Sequence, residues 1–334
     1  MSLLLSKLSS RKAHALRHLT TRFFSTSFRN GDVEITNFCG WSFATEKKEM
    51  GTIGSSNGWV ATLKDGVVCL QDDLNPNASD TNPKRISLPP LVTLPRCQTQ
   101  IVTNLAMSSS SPEDEDCVVA VKFLGPQLSF CRPARGNSEW TNVRIADSSF
   151  FNSHVMYSER DEMFSMPSSE GNYIGSWDIG EHIHNRKVLK LRYRNLPKLV
   201  QKEWELLDSC FRSEHLVESR FTGETFLVKW YTKRNSDNNN GKMRTERFFV
   251  FNTDEEGNAV YTRDIGDLCI QLSKAETFCL PARFIDGYDN YINFLGTDHL
   301  GSGSVANTLT DNYDYAFSSS GTPPYWIPRK KKID

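Results

Sequence analysis

Four groups of residues in this chain have the types and spacing that could do chemistry. Gly54-Ser55-Ser56-Asn57-Gly58 has the G-x-S-x-G form of a nucleophile elbow, in which a serine on a sharp strand-to-helix turn attacks an acyl carbon. That chemistry requires a helix after the serine. The chain continues instead with Trp59-Val-Ala-Thr-Leu-Lys-Asp-Gly-Val-Val68, two apolar runs around Asp65-Gly66, which is a hairpin signal. Gly54–Gly58 is therefore expected to be a turn. Glu181-His182 and His184 place two imidazoles on one face of an extended segment, half of a zinc or iron site. No third ligand stands near them in sequence, so they are expected to be loop histidines. Gly301-Ser302-Gly303-Ser304 lacks the third glycine, the helix and the lysine of a phosphate-binding loop and reads as a flexible connection. The cysteines, Cys39, Cys69, Cys97, Cys117, Cys131, Cys210, Cys269 and Cys279, form no C-x-x-C pair, and the nearest two are ten positions apart. Several lie in apolar runs, where a reduced thiol behaves as a small core residue. No catalytic residue, cofactor or metal ligand is assigned.

The other chemically informative segment is the N-terminus. Residues 1–30 hold six Lys/Arg and no Asp/Glu, and they are rich in Ser and Leu. On a helix, Leu5, Leu8, Leu16, Leu19 and Phe23 fall on one side, with Lys7, Arg11, His18 and Arg22 on another. A basic amphipathic segment without acids has the composition of an organellar import presequence. Membrane potential pulls such charges inward at about 2.3 kcal/mol per charge per 100 mV. Arg22-Phe23-Phe24-Ser25 resembles a mitochondrial processing site, with cleavage after Phe24 and Ser25 as the new first residue. The expected address is mitochondrial, with the matrix as destination and the chloroplast as the alternative. Residues 31–334 then carry 33 basic against 40 acidic residues, a net −7, which does not suggest nucleic-acid binding. Their apolar runs fall short of the roughly 18 residues that cross a bilayer, so a soluble domain without stable membrane insertion is expected.

The elements that must position these residues are strands. From Val33 onward, short apolar or alternating runs are separated by Gly, Pro, Asn, Asp and Ser clusters, an all-β signature. Trp59–Leu63, Val67–Gln71, Val118–Phe123, Leu128–Arg132, Tyr173–Ile179, Thr225–Tyr231, Arg247–Asn252 and Tyr291–Leu295 are the clearest. Leu199–Cys210 is the main helical candidate, and Ile265–Leu272 reads as a short turn. Cys117–Ile145, Tyr157–Ile179 and Thr225–Ile265 share a strand, turn, strand plan, and the first and last of them carry Trp140-Thr141 and Tyr261-Thr262. Degenerate four-stranded units of about 40–50 residues indicate a β-propeller of kelch-like blades, with a two-sheet sandwich array as the alternative. The polar stretches Ser108–Asp116 and Asn235–Gly241 are expected to be mobile loops. Asn77-Ala78-Ser79 is a formal glycosylation sequon, and Arg329-Lys330-Lys331-Lys332 reads as a solvated basic tail.

Several motifs in order carry a resemblance. Gly54–Ala61, Ile86-Ser-Leu-Pro-Pro90, Asp116–Phe123, Ser138-Glu-Trp-Thr141, Arg160-Asp-Glu-Met-Phe164, Gly175-Ser-Trp-Asp178, His215-Leu-Val-Glu-Ser219, Ile265-Gly-Asp267 and Trp326-Ile-Pro328 together resemble the plant family known as domain of unknown function 295, the KIB-type β-propeller. The resemblance implies a propeller over residues 31–334. Many members of that family look like F-box proteins that deliver substrates to a ubiquitin ligase. Here the presequence stands where the F-box would be, so the chain resembles an organellar branch that lacks it. The expected function is a non-enzymatic mitochondrial module that binds a protein partner. The alternatives are an F-box-like ligase adaptor and a metal- or small-molecule-binding enzyme that uses the propeller channel.

Overall fold

The structure is a computed structural model that describes residues 28–30, 33–38, 41–46, 51–72, 84–95, 97, 101–135, 138–178, 186–234, 243–273, 276–284, 289–296, 299–306, 310–314 and 325–327. It is an all-β, five-bladed propeller with few helices. The first blade is Gly51–Ser56, Trp59–Lys64, Val67–Gln71 and Arg85–Pro90. Val102–Met107, Val119–Phe123, Gln127–Cys131 and Thr141–Arg144 make the second, and Met156–Ser158, Met163–Pro167, Tyr173–Asp178 and Arg186–Lys190 the third. The fourth comprises Phe211–Glu218, Thr225–Arg234, Met243–Thr253 and Asn258–Thr262, with Arg192–Arg194 added in parallel on its outer edge. In all four the chain runs antiparallel from the first strand outward, and the first strands of successive blades touch.

The fifth blade breaks the pattern. Its spatial order is Phe278–Pro281, Leu268–Ser273, Tyr291–Leu295, His299–Ser304 and Thr310–Asp314, so the innermost strand is second in sequence and the next two are parallel. A further sheet joins Phe28–Asn30, Val33–Phe38 and Trp41–Glu46 to Tyr325–Ile327.

Blades stack face to face, so their middle strands are covered on both sides and need no polar alternation. Val119–Phe123, Gln127–Cys131 and Leu268–Ser273 are buried at every position. Each pair of blades consecutive in sequence shares an apolar cluster. Trp59 and Leu70 meet Leu105 and Phe123 between the first and second, and Phe130 and Leu128 meet Phe164 and Trp177 between the second and third. Leu227, Phe249 and Ile174 fill the next interface, and Phe226, Trp230, Ile270 and Phe294 the last. Fully burying one such side chain contributes about 1.5–3 kcal/mol.

Local chemistry sets the turns. Asn57-Gly58 and Asp65-Gly66 all have positive φ, between 52° and 83°, the left-handed geometry of two-residue hairpins. Gly54–Gly58 is thus the end of one strand and its hairpin, as its sequence context requires. Two expectations are corrected. Ile265–Leu272 is a turn only up to Asp267, after which Leu268–Ser273 is a fully buried strand, because an apolar run of this length fits between two blades. Gly301–Ser304 is no loose connection: it lies in strand His299–Ser304, paired on both sides. The helix forms at Gln201–Asp208, inside the expected span. Among the described residues, no helix is long and apolar enough to cross a membrane.

Candidate functional site

The five innermost strands are laced into a ring by polar side chains. Asn57 holds three of them together. Its backbone N–H donates to Glu276 Oε1 (3.0 Å), its Nδ2 donates to the Ser109 carbonyl (3.1 Å), and its Oδ1 accepts from Arg220 Nη2 (2.7 Å). Ser55 Oγ donates to the other oxygen of Glu276 (3.3 Å), and Ser56 Oγ accepts from Met107 N (3.0 Å). Both serines of the elbow-like motif are therefore committed to holding the first blade against its neighbours. Asn104 exchanges two bonds with the Val155 backbone (2.7 and 2.9 Å), joining the second blade to the third. Glu218 accepts from Ser158 Oγ, Glu159 N (3.0 Å) and Arg160 N (3.2 Å), joining the third to the fourth.

Two further contacts bring residues of different blades together. The imidazoles of His154 and His215 stack at 5.3 Å, and His215 Nε2 lies 3.0 Å from Ser213 Oγ. At the end of the innermost strands Arg220 reaches from the fourth blade to Asn57 of the first, and its Nε pairs with Glu159 at 3.0 Å. Burial raises the pKa of Glu276, opposed by the Asn57 N–H, Arg220 and Ser55. These contacts join the ends of the innermost strands of the first, third and fourth blades.

The segment Ser108–Asp116 meets Asn57 and Trp59 and is anchored, contrary to its expected mobility. Trp59 Nε1 donates to the Ser110 carbonyl (3.0 Å), Asn57 holds Ser109, and Glu113 pairs with Lys84. The reason lies in residues distant in sequence, which supply the donors.

A second place on the molecule is concave. The chain enters the fourth blade through residues 195–210, and helix Gln201–Asp208 leans on that blade through buried Leu207 and an Arg247–Glu203 ion pair (2.8 Å). Between the helix and the blade lies a recess of about 480 Å³, with Trp204 and Tyr231 as aromatic walls and Glu170, Asp208, Arg212 and Glu214 as charged ones. Arg212 and Glu214 are two apart on one strand and so share a face. Arg212 Nε donates to Glu214 Oε1 (2.6 Å), which also accepts from Glu170 N (3.2 Å). Burial raises the pKa of Glu214 against the pull of Arg212, and burial together with Arg212 lowers Lys229 to about 8. Lys229 donates to the Glu170 carbonyl (2.9 Å) and lies 4.3 Å above the Tyr193 ring. The recess escaped the sequence reading because its walls come from residues 169 to 231. The visible signals were Trp204 in the helical candidate and the Arg212-x-Glu214 spacing.

Of the residues singled out from sequence, Arg22, Phe24, Ser25, Asn77, His182, His184, Asn235–Gly241 and Arg329–Lys332 lie outside the described residues. Among the described residues, no group of three or more His, Cys, Asp or Glu side chains is placed to hold a metal ion. None of the seven described cysteines is in a disulfide; Cys117, Cys131, Cys269 and Cys279 are buried, and Cys69, Cys97 and Cys210 are half-buried.

A chain of laced, sequential four-stranded sheets is a propeller, a class defined by architecture and not by one activity. The KIB1-4 beta-propeller family matches residues 31–315, and the chain belongs to that family. No curated protein matches it. Among solved structures, the chain is similar to the Cps50 (Swd1) beta-propeller domain of Myceliophteria thermophila, at 10% identity and TM-score 0.34, over 87% of this chain and 100% of that one. It is also similar to the AfRom2 CNH domain, at 9% identity and TM-score 0.36, over 87% and 84% of the two chains. A virginiamycin B lyase from Staphylococcus aureus is similar at 9% identity and TM-score 0.32, over 80% and 85%.

Proposed function

We propose that this propeller is a non-enzymatic protein-interaction module that works inside the mitochondrion. The observation that carries the interaction role is a run of exposed apolar side chains. Leu196, Val200, Trp204, Leu206 and Phe211 are 38–65% exposed within one short segment, whereas the other exposed large apolar side chains, Val92, Ile101, Val188 and Phe221, are scattered along the chain. Clustered exposure of this kind marks a contact surface. Val200 caps the helix four residues before Trp204, and Trp204 also lines the recess. The mitochondrial address rests on the basic, acid-free residues 1–30 and the Arg22-Phe23-Phe24-Ser25 pattern.

Proximity labelling in cells tests both parts. The intact chain is expected to label mitochondrial neighbours, and the chain without residues 1–30 to lose them. A Val200→Glu/Phe211→Glu double variant of the intact chain is expected to keep the address and lose the main partner. Identical cytosolic neighbours for the first two chains would overturn the address, and an unchanged partner set in the double variant would overturn the surface.

A further inference from the structure

We propose that the recess beside helix Gln201–Asp208 is a socket for the guanidinium of an arginine carried by an apolar-flanked segment of the partner protein. The inference deepens the interaction role and rests on it.

Charge complementarity is the first argument. The recess is lined by three carboxylates, Glu170, Asp208 and Glu214, against one cation, Arg212. Arg212 is committed to Glu214, and Glu170 accepts from Asn172 Nδ2 (3.0 Å) with Lys229 on its carbonyl, which leaves Asp208 as the lining carboxylate with no ion pair among the described residues. Asp208 is exposed and sits in the last turn of the helix, a turn without a basic residue. The free carbonyls of a helix C-terminus carry partial negative charge, so an acid there is unfavourable for the free protein and favourable for a cation brought to it. The nearby lysines are already engaged: Lys229 on the Glu170 carbonyl beneath the Tyr193 ring, and Lys233 on Ser209 Oγ (3.0 Å).

Shape and polarity give the second argument. Trp204, 41% exposed, and Tyr231, buried, present aromatic surface inside the same recess. A planar guanidinium stacks on such faces while its donors reach carboxylates, a pairing that an ammonium matches less well. A volume of about 480 Å³ admits one long side chain together with part of its neighbour. Val200, 65% exposed and four residues before Trp204, would receive an apolar residue beside the arginine. The platform is rigid, because Leu207 is buried and Arg247 holds Glu203.

The test uses the full chain and two short probes, acetyl-Leu-Arg-Leu-amide and the same peptide with citrulline, which keeps the shape and loses the charge. Binding is read from the indole N–H signal of Trp204, identified by its disappearance in Trp204→Phe. The arginine peptide is expected to shift that signal saturably and to weaken as salt is raised. The citrulline peptide is expected to bind at least about tenfold less well, the effect of about 1.4 kcal/mol. Asp208→Asn/Glu170→Gln, two exposed changes that leave the core intact, is expected to produce a similar loss. Equal response to both peptides, no response to either, or unchanged affinity in the double variant would overturn the socket. Proximity labelling with Trp204→Ala separates the two levels: loss of the partner despite a silent peptide titration would sink the arginine assignment alone. An unchanged partner set would sink the interaction surface itself.

Discussion

Lys122 is fully buried, and among the described residues no carboxylate pairs with it. Its ammonium instead donates to the carbonyls of Phe123, Gly125 (2.9 Å) and Phe151 (2.9 Å), tying the second blade to the entrance of the third. Lys122→Met keeps the volume of the stem and removes all three bonds, although the Phe151 carbonyl still accepts from Gly125 N (3.0 Å). Leaving buried polar groups unpaired costs about 1–3 kcal/mol each, so a loss of about 3 kcal/mol is expected, visible as a lower urea midpoint at unchanged slope. The thiols give the pH dependence. Burial pushes Cys117 and Cys131 up to about 11 and Cys279 to about 12, from 9.0. A pKa raised by folding contributes stability below its unfolded value and loses it as pH climbs through the folded one. Stability should therefore fall between pH 9 and 12, by at most about 1.4 kcal/mol per pH unit for each thiol. Native alkylation at pH 8, followed by mass spectrometry, should leave all three unlabelled.

Among the elements, turns show how much the sequence displays and where it stops. Asp65-Gly66 and Asn57-Gly58 were legible as hairpins, because left-handed φ favours Asn, Asp and Gly. Glu256-Gly257 looks equally like a turn but is packed against another segment. A Cβ on Gly257 would lie 2.5 Å from the Lys190 carbonyl, whereas one on Gly66 would meet open space, although both residues have positive φ. Gly66→Ala should cost about 1 kcal/mol, the strain of the left-handed conformation alone. Gly257→Ala should cost clearly more, about 3 kcal/mol, since backbone must move, and thermal unfolding of the two variants checks the order. The same limit governs the blades. The second, third and fourth were legible because each is a run of consecutive hairpins. The fifth was not, because Leu268–Ser273 pairs in parallel with Tyr291–Leu295 and the innermost strand follows it in sequence. Local patterning carries no information about that order. The recess stayed hidden for a related reason: Arg212 and Glu214 read as solvated strand charges until the helix is laid across them.

At the scale of the whole molecule, the ring of innermost strands is held by polar contacts of unequal weight. Arg220 and Glu159 are each about half exposed, so their ion pair is screened, and Arg220→Ala should lower stability by less than about 1 kcal/mol. Its effect should appear in hydrogen exchange, as faster exchange at Asn57 and Glu159 with the blade centres unchanged. Glu218 accepts from a side chain and two backbone amides of the third blade, so Glu218→Ala should both speed exchange at residues 158–160 and lower the unfolding midpoint. The sheet that pairs Trp41–Glu46 with Tyr325–Ile327 has a consequence in time. A chain made or threaded from its N-terminus presents its first strands long before the strand that latches them exists. Pairing of that sheet is then the last event of a vectorial process, later than the five blades between its first and last strands.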